Sequence, residues 1–166
     1  MKGGLLLGLR AAQLALAFII MALMAYVADW YNSDTLTMAP PQVNWQLACS
    51  VISIVSLIYL EGAKRFAPRA FHSAAALGLE SANAVFHFSG FIYLAVFIGK
   101  LLFCRGSVCA AARAASVFGA FEFLFWCVSA ALAAKEVAAG GFSLPFRRSP
   151  KPANEKVVAM EEGARA

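Results

Sequence analysis

The sequence has little charge for its length. Of its 166 residues only 14% are charged, whereas 61% are hydrophobic and the mean hydropathy is +0.72. A soluble domain has about 25% charged and about 45–50% apolar residues, and a soluble fold of this size has too little interior for so much apolar surface. The composition therefore excludes an ordinary soluble domain and predicts an integral membrane protein.

The sequence also lacks the motifs that carry chemistry. It contains no recognisable nucleophile with its base, no internal repeat and no Asn-x-Ser/Thr glycosylation acceptor. The cysteines inside the apolar runs have no His or Asp at a spacing that would suit a metal ligand set. We therefore expect no enzymatic activity, no cofactor and no metal site.

Four long apolar runs are present, and each is long enough for a bilayer-spanning helix, which requires about 20 residues. They cover residues 5–28, 43–60, 73–103 and 110–134. The first run is longer than the apolar part of a signal peptide, about 7–15 residues, so we expect it to be retained. The sequence predicts an all-α integral membrane four-helix bundle over residues 1–140. Residues 141–166 read as a basic, disordered cytoplasmic tail.

The distribution of Lys and Arg predicts the orientation of the bundle. Short cytoplasmic loops carry an excess of these residues. They are concentrated near the N-terminus, in the second connector and in the tail, whereas the first connector has none and carries Asp29 and Asp34. We therefore expect both termini to be cytoplasmic. The net charge of +5 then describes a face that would contact anionic lipid rather than nucleic acid.

Two of the four cysteines bracket the third connector. Cys104 and Cys109 flank Arg-Gly-Ser-Val on the side predicted to face away from the cytoplasm. That compartment is oxidising, and a turn between antiparallel helices can bring two sulfurs within bonding distance. We predict a disulfide between Cys104 and Cys109, and we interpret Cys49 and Cys127 as small apolar packing residues.

Ionisable residues inside the apolar runs are the candidate functional residues, because a charge in the bilayer interior is costly. Arg10 and Gln13 lie in the first run and Glu80 lies at a matching depth in the third, so we expect an ion pair between Arg10 and Glu80. His87 and Glu122 lie near the middle of the third and fourth runs. There they can share a proton or a hydrogen bond.

Two interpretations of these polar residues remain open. Glu80, Asn83 and His87 are spaced to lie on one helix face, which we expect to point inward. In the first interpretation Glu80, His87 and Glu122 form a proton or ion pathway. In the second the polar residues are interhelical ties, each worth about 0.6 kcal/mol. The second run favours the ties, because it adds to a pathway only Ser50, Ser53 and Ser56.

Small residues four apart allow helices to approach closely in lipid. Such pairs are Gly8 with Ala12, Ala11 with Ala15, Gly78 with Ala82, and Ala130 with Ala134. We interpret them first as contacts within the bundle and second as a face for self-association. The phenylalanines of the third and fourth runs follow no single stripe, so some must face lipid or another protein.

The ends of the helices and the tail carry the remaining signals. Trp30, Tyr31 and Trp45 are placed for an interfacial aromatic belt. In the tail we interpret Arg147, Arg148 and Lys151 either as a tether to anionic lipid or as a flank that only sets orientation.

Residues 5–138 together resemble a fungal MARVEL-domain protein. The features that carry the resemblance are Arg10 and Gln13, the run Val43-Asn44-Trp45, the set Glu80, Ala82 and Phe86, the pair Cys104 and Cys109, and the run Phe118-Gly119-Ala120-Phe121. The resemblance implies an M-shaped four-helix bundle with cytoplasmic termini and a family that is generally not enzymatic. His87 and Glu122 have no place in the family pattern.

The resemblance implies a role in membrane apposition, lateral domain organisation or vesicle trafficking. We expect a multi-pass protein of the plasma membrane, with an endomembrane as the alternative, that associates with lipids and forms a homo-oligomer or joins a larger membrane complex. Two other functions stay open: a small proton-linked transporter or channel, and an accessory subunit of a larger membrane enzyme.

Overall fold

The computed structural model describes residues 2–35, 37–66, 73–101 and 106–139, and the regular structure in these ranges is helical. The four helices are α1 (Lys2–Ser33), α2 (Pro41–Phe66), α3 (Ser73–Lys100) and α4 (Ser107–Ala139). All four are long and apolar enough to cross a membrane. The expected all-α architecture of four spanning helices is confirmed.

Each helix begins or ends where local chemistry favours it. Pro41 opens α2, at a position where its fixed backbone angle suits a helix and its missing N–H costs nothing. The carbonyl of Pro40 accepts hydrogen bonds from the N–H groups of Val43 and Asn44, at 3.0 and 3.2 Å. Gly106 precedes α4 with a φ of +92°, a left-handed conformation that glycine adopts without steric cost.

The helices are longer than the apolar runs that predicted them, except at the end of α3. The second helix was predicted over 43–60 but covers Pro41–Phe66, because its polar last turns continue the backbone hydrogen bonding beyond the apolar region. α3 ends at Lys100, whereas the sequence predicted residue 103. The predicted boundary at residue 140 stays a prediction, since residues 140–166 lie outside the described ranges.

The four helices form a closed ring in which each packs against its two neighbours. The contacts are α1 with α2, α2 with α3, α3 with α4, and α4 with α1. We call the end that holds Lys2 and Ala139 the proximal end, and the opposite end the distal end. The hydroxyl groups of Tyr26 and Ser107 share a hydrogen bond of 2.9 Å, which joins the end of α1 to the start of α4. The cytoplasmic orientation of the proximal end stays a prediction.

The buried positions of α1 and α4 include a series with alternating spacings of three and four residues. On α1 the alternation runs from Arg10 to Val27, and on α4 from Ala112 to Ser129. This is the seam of a left-handed helix bundle. The seam is occupied regardless of polarity, so polar side chains are enclosed at the same periodicity as apolar ones.

Two apolar clusters lie inside the ring. The proximal cluster consists of Leu57, Leu60, Ala76, Ala84 and Trp126. The distal cluster consists of Ile20, Met24, Val27, Val43, Leu94, Ile98, Cys109, Ala111, Ala112 and Ala115. The outer surface of all four helices is also apolar, and Ile58, Val85 and Leu124 are more than half exposed on it. Such a surface suits hydrocarbon rather than water.

Candidate functional site

The site is a set of polar side chains buried along the axis of the bundle, which we call the polar column. Each member is at most 4% exposed. Its members are Arg10, Gln13, Gln46, Ser50, Ser53, Ser56, Glu80, Asn83, His87, Glu122 and Ser129. The column therefore includes all six residues that the sequence singled out as intramembrane polar contacts.

An ion pair lies near the proximal end of the column. Arg10 on α1 donates from Nη2 to Oε1 of Glu80 on α3. Its Nη1 donates to Oε1 of Gln13 at 3.2 Å, one turn further along α1. Arg10 Nε lies 4.0 Å from Oε1 of Glu61 near the end of α2. Opposite charges at one depth shield each other from lipid. Through Glu80 and Glu61, Arg10 connects α1 with both α3 and α2.

Asn83 organises the middle of the column. Its amide Nδ2 donates to Oγ of Ser56 and to the carbonyl of Leu79, both at 2.9 Å, and its Oδ1 accepts from Oγ of Ser53 at 3.2 Å. Ser53 Oγ also lies 2.7 Å from Nε2 of His87. The serines of α2 therefore serve as hydrogen-bond partners for α3. This is the arrangement expected of interhelical ties.

Glu122 on α4 is held by its own helix. Its Oε1 accepts from the indole Nε1 of Trp126 at 3.1 Å, and the guanidinium carbon of Arg10 lies 5.7 Å from the centre of the Trp126 ring. A cation at this distance from an indole is attracted by the ring electrons. Glu122 and His87 do not share a hydrogen bond, since each bonds another residue and its remaining polar atom has no partner. The direct His87–Glu122 hydrogen bond that their positions allowed is therefore not formed.

Gln46 is the residue that the sequence analysis missed. It lies on α2 one turn before Ser50 and is fully buried, so α2 contributes more than three serines to the column. Two glycines make room for it. A Cβ on Gly90 would overlap Gln46 Oε1, and one on Gly119 would lie 2.6 Å from Gln46 Nε2 and 3.1 Å from Phe91 Cβ. The signal was present, because Gln46, Ser50 and Ser53 are spaced to share one helix face.

The small-residue pairs lie at the edge of the bundle, and each has at least one exposed member. Gly8 and Gly78 are exposed, and an added Cβ at either position would meet none of the described residues within 4 Å. The alanines divide into the exposed Ala11, Ala15 and Ala134 and the partly buried Ala12, Ala82 and Ala130. Among the described glycines, the close approaches occur at Gly90 and Gly119 instead. The use of these pairs as contacts within the bundle or between copies stays a prediction.

The cysteines divide into two kinds. Cys49 and Cys127 are free, and Cys49 Sγ lies 3.4 Å from the carbonyl of Phe86 on the neighbouring helix. Cys109 is disulfide-bonded. Cys104 lies outside the described residues, as do Arg147, Arg148 and Lys151, so the Cys104–Cys109 pairing and the lipid tether stay predictions. Within the described ranges no three His, Cys, Asp or Glu side chains come together to hold a metal ion.

The aromatic side chains near the surface make three kinds of contact: a hydrogen bond, the lining of a cavity and ring packing. Trp45 is 37% exposed and donates from Nε1 to Oγ of Ser89 at 3.2 Å. Trp30 and Tyr31 line a cavity of about 420 Å³ at the distal end. Phe88 packs against Phe91 and Phe123, with ring centres 5.8 and 5.2 Å apart, and is itself half exposed.

The distal cluster separates that cavity from the polar column. Ile20, Met24 and Leu94 are fully buried between the cavity and Gln46. A polar pathway through the bundle would have to cross this apolar layer. The polar lining of the column therefore does not extend to the distal end.

Comparison with known families agrees with this architecture. The model of the MARVEL family, described as a membrane-associating domain, matches residues 4–132, which include all four helices up to the last turns of α4. Comparison with curated proteins and with solved structures finds no match. The chain is a multi-pass membrane protein, and it belongs to the MARVEL family of membrane-associating domains.

Proposed function

We propose that this protein is a non-enzymatic organiser of membrane subdomains or of membrane trafficking, acting through lateral association with lipids and with copies of itself. The observation that supports it best is the distribution of side chains. Glu80, Glu122 and His87 lie on the axis, whereas large apolar side chains such as Val55 and Phe121 point outward from the helices. An apolar outer surface in a membrane acts through the lipids and helices that it contacts laterally.

We propose the plasma membrane as its location and anionic lipid as its partner at the cytoplasmic face. The cytoplasmic leaflet carries anionic lipids that attract basic segments close to the membrane. The chain has a net charge of +5, and its basic residues include Lys64 and Arg65 at the proximal end of α2 and Arg147, Arg148 and Lys151 in the tail. Endomembranes with anionic lipid fit the same chemistry.

Extraction in mild detergent tests the organiser against an accessory subunit. We expect the tagged protein to be recovered from its native membrane as a particle that contains only this chain and bound lipid. The measurement is the particle mass together with its protein composition. Recovery of a second protein at a fixed stoichiometry would contradict the proposal and make the chain an accessory subunit.

Self-association is expected to use the outward small residues of α1. Gly8→Leu adds a bulky side chain where an added Cβ meets nothing, so the bundle itself should tolerate it. If copies associate through this face, the substitution should weaken association about tenfold, because close helix approach in lipid requires small residues. Energy transfer between labelled copies in vesicles measures the effect. Gly99→Leu, at an equally open glycine of α3 that belongs to none of the small-residue pairs, is the matched control.

A change of equal size in both variants would show a non-specific effect and contradict the α1 face. No change in Gly8→Leu, with self-association present, would place the contact on another face. No self-association at any protein density would leave association with lipid as the only lateral contact.

A proton-linked transporter or channel that uses Glu80, His87 and Glu122 is the alternative function. The polar column favours it, whereas the apolar layer of Ile20, Met24 and Leu94 opposes it. We expect vesicles that contain the protein to conduct protons no faster than empty vesicles. A proton flux that Glu122→Gln abolishes would contradict the organiser and establish the transporter.

A further inference from the structure

We propose that water enters the polar column from the proximal end and reaches Glu122, so that this buried carboxyl group exchanges protons with one side of the bundle only. The first observation is a series of unpartnered polar atoms. Among the residues that the structure describes, Glu80 Oε2, Ser129 Oγ, Glu122 Oε2 and His87 Nδ1 have no hydrogen-bond partner, although their side chains are at least nine-tenths buried. Buried polar groups nearly always have a partner, and ordered water is a frequent one.

The second observation is a cavity at the proximal end. It has a volume of about 20 Å³, and its lining includes Arg10, Glu80 and Ser129 on the inside and Lys64 and Glu136 toward the end of the bundle. A polar cavity of about 10–15 Å³ or more can hold one water molecule. Arg10, Glu80 and Ser129 each contribute an unpartnered atom, so a water molecule there would gain several hydrogen bonds at once.

The path inward follows one face of α4. Ser129, Trp126 and Glu122 are buried at spacings of three and four residues, and they span about 10 Å along the helix axis at 1.5 Å per residue. A few water molecules in single file would cover that distance. Glu80, Asn83 and His87 run alongside on α3, so polar atoms of two helices border the path.

The distal cluster ends the path. Beyond Gln46 the buried side chains of the described helices include Ile20, Met24, Leu94 and Ala115, which offer no side-chain polar atom to a water molecule. A site that is wet from one side and sealed from the other binds protons without conducting them. This inference does not depend on the organiser function, and neither requires the other.

Other ionisable groups share the core with Glu122 and would influence its proton exchange. Arg10 faces it from α1 through the Trp126 ring. On α2 the buried thiol is Cys49, and Glu61 lies half-buried at the proximal end. On α3 the groups are Glu80 and His87.

Hydrogen exchange at the Trp126 indole tests the proposal. This N–H donates to Glu122 and is fully buried, so it exchanges with solvent only if water reaches it or if the bundle opens. The full chain is placed in lipid, transferred to heavy water, and followed by NMR with Trp126→Phe as the assignment control. We expect the indole to exchange much faster than the backbone amides of the same helical turn, which report opening of the helix.

Two substitutions locate the entrance. Ser129→Val fills the cavity with apolar atoms and should slow the indole exchange about tenfold or more, because it leaves no room for a water molecule. Ser129→Ala removes the same hydroxyl but leaves the space open, so exchange should remain fast. Ser116→Val is the matched control, since Ser116 lies on α4 outside the polar column and bonds the carbonyl of Phe91.

Indole exchange as slow as that of the adjacent backbone amides would show a dry core and overturn the proposal. Equal rates in Ser129→Val and Ser116→Val would overturn the proposed entrance. The organiser function is tested separately by particle composition and self-association, so the failure of either proposal is distinguishable from the failure of the other.

Discussion

Arg10→Met is expected to destabilise the bundle by about 3–5 kcal/mol, because it leaves the Glu80 carboxylate buried without its cation. Methionine keeps an apolar stem of similar length, so the loss reports the charge rather than the packing. Equilibrium unfolding of the purified protein in mixed micelles with increasing SDS measures the free energy. Arg65→Met is the control, because Arg65 is exposed near the end of α2 and should change the free energy of unfolding by less than about 0.5 kcal/mol.

The double variant Arg10→Met with Glu80→Met tests whether the lost stability comes from the unpaired Glu80 carboxylate. Removing both charges should restore a large part of the stability lost in the single variant, since replacing a buried ion pair with apolar side chains is often close to neutral. A single variant no less stable than Arg65→Met would contradict the buried pair. A double variant that loses the sum of two large single effects would show that the two residues act independently.

Gly119→Val is expected to destabilise the bundle by about 2–3 kcal/mol, because a side chain there overpacks the core. A Cβ at this position would lie 2.6 Å from Gln46 Nε2 and 3.1 Å from Phe91 Cβ. The latter atom is bonded to the backbone, so α3 itself would have to shift by a few tenths of an ångström. The same unfolding measurement applies. Gly78→Val is the matched control, since a Cβ at Gly78 meets nothing within 4 Å and should have an effect within about 0.5 kcal/mol.

Gln46→Ala separates the two obstacles at Gly119. Combined with Gly119→Val it removes the contact with the glutamine amide but leaves the contact with Phe91, so it should restore part of the stability and not all of it. Full restoration would assign the whole cost to Gln46. A Gly119→Val variant as stable as the Gly78→Val control would show that the helices do not approach as closely as described.

The bundle has the opposite arrangement to a soluble protein, with polar side chains on its axis and apolar side chains on its surface. Polar groups that cannot face hydrocarbon are enclosed, and several are paired, as Arg10 is with Glu80 and Asn83 is with Ser53 and Ser56. Apolar side chains cover the outside, where lipid is as favourable for them as a protein interior. Specificity among these helices must therefore come from polar pairs and glycine contacts rather than from apolar burial.

The sequence by itself determined the class, the number of helices and the inward face of α3. Hydropathy over about 20 residues is sufficient to identify a spanning helix, because the bilayer imposes its thickness on every span. The spacing of Glu80, Asn83 and His87 was sufficient to predict one shared face, since helical periodicity is a local property. The matching depths of Arg10 and Glu80 indicated which charges could meet.

Only the tertiary structure decided which buried polar side chains form hydrogen bonds with each other. His87 bonds Ser53 and Glu122 bonds Trp126, although their depths allowed them to bond each other, because the rotation of each helix about its axis depends on all its neighbours. Gln46 entered the column because Gly90 and Gly119 left space for it on two other helices. That space depends on α2, α3 and α4 together, so it cannot be predicted from the periodicity of any one helix.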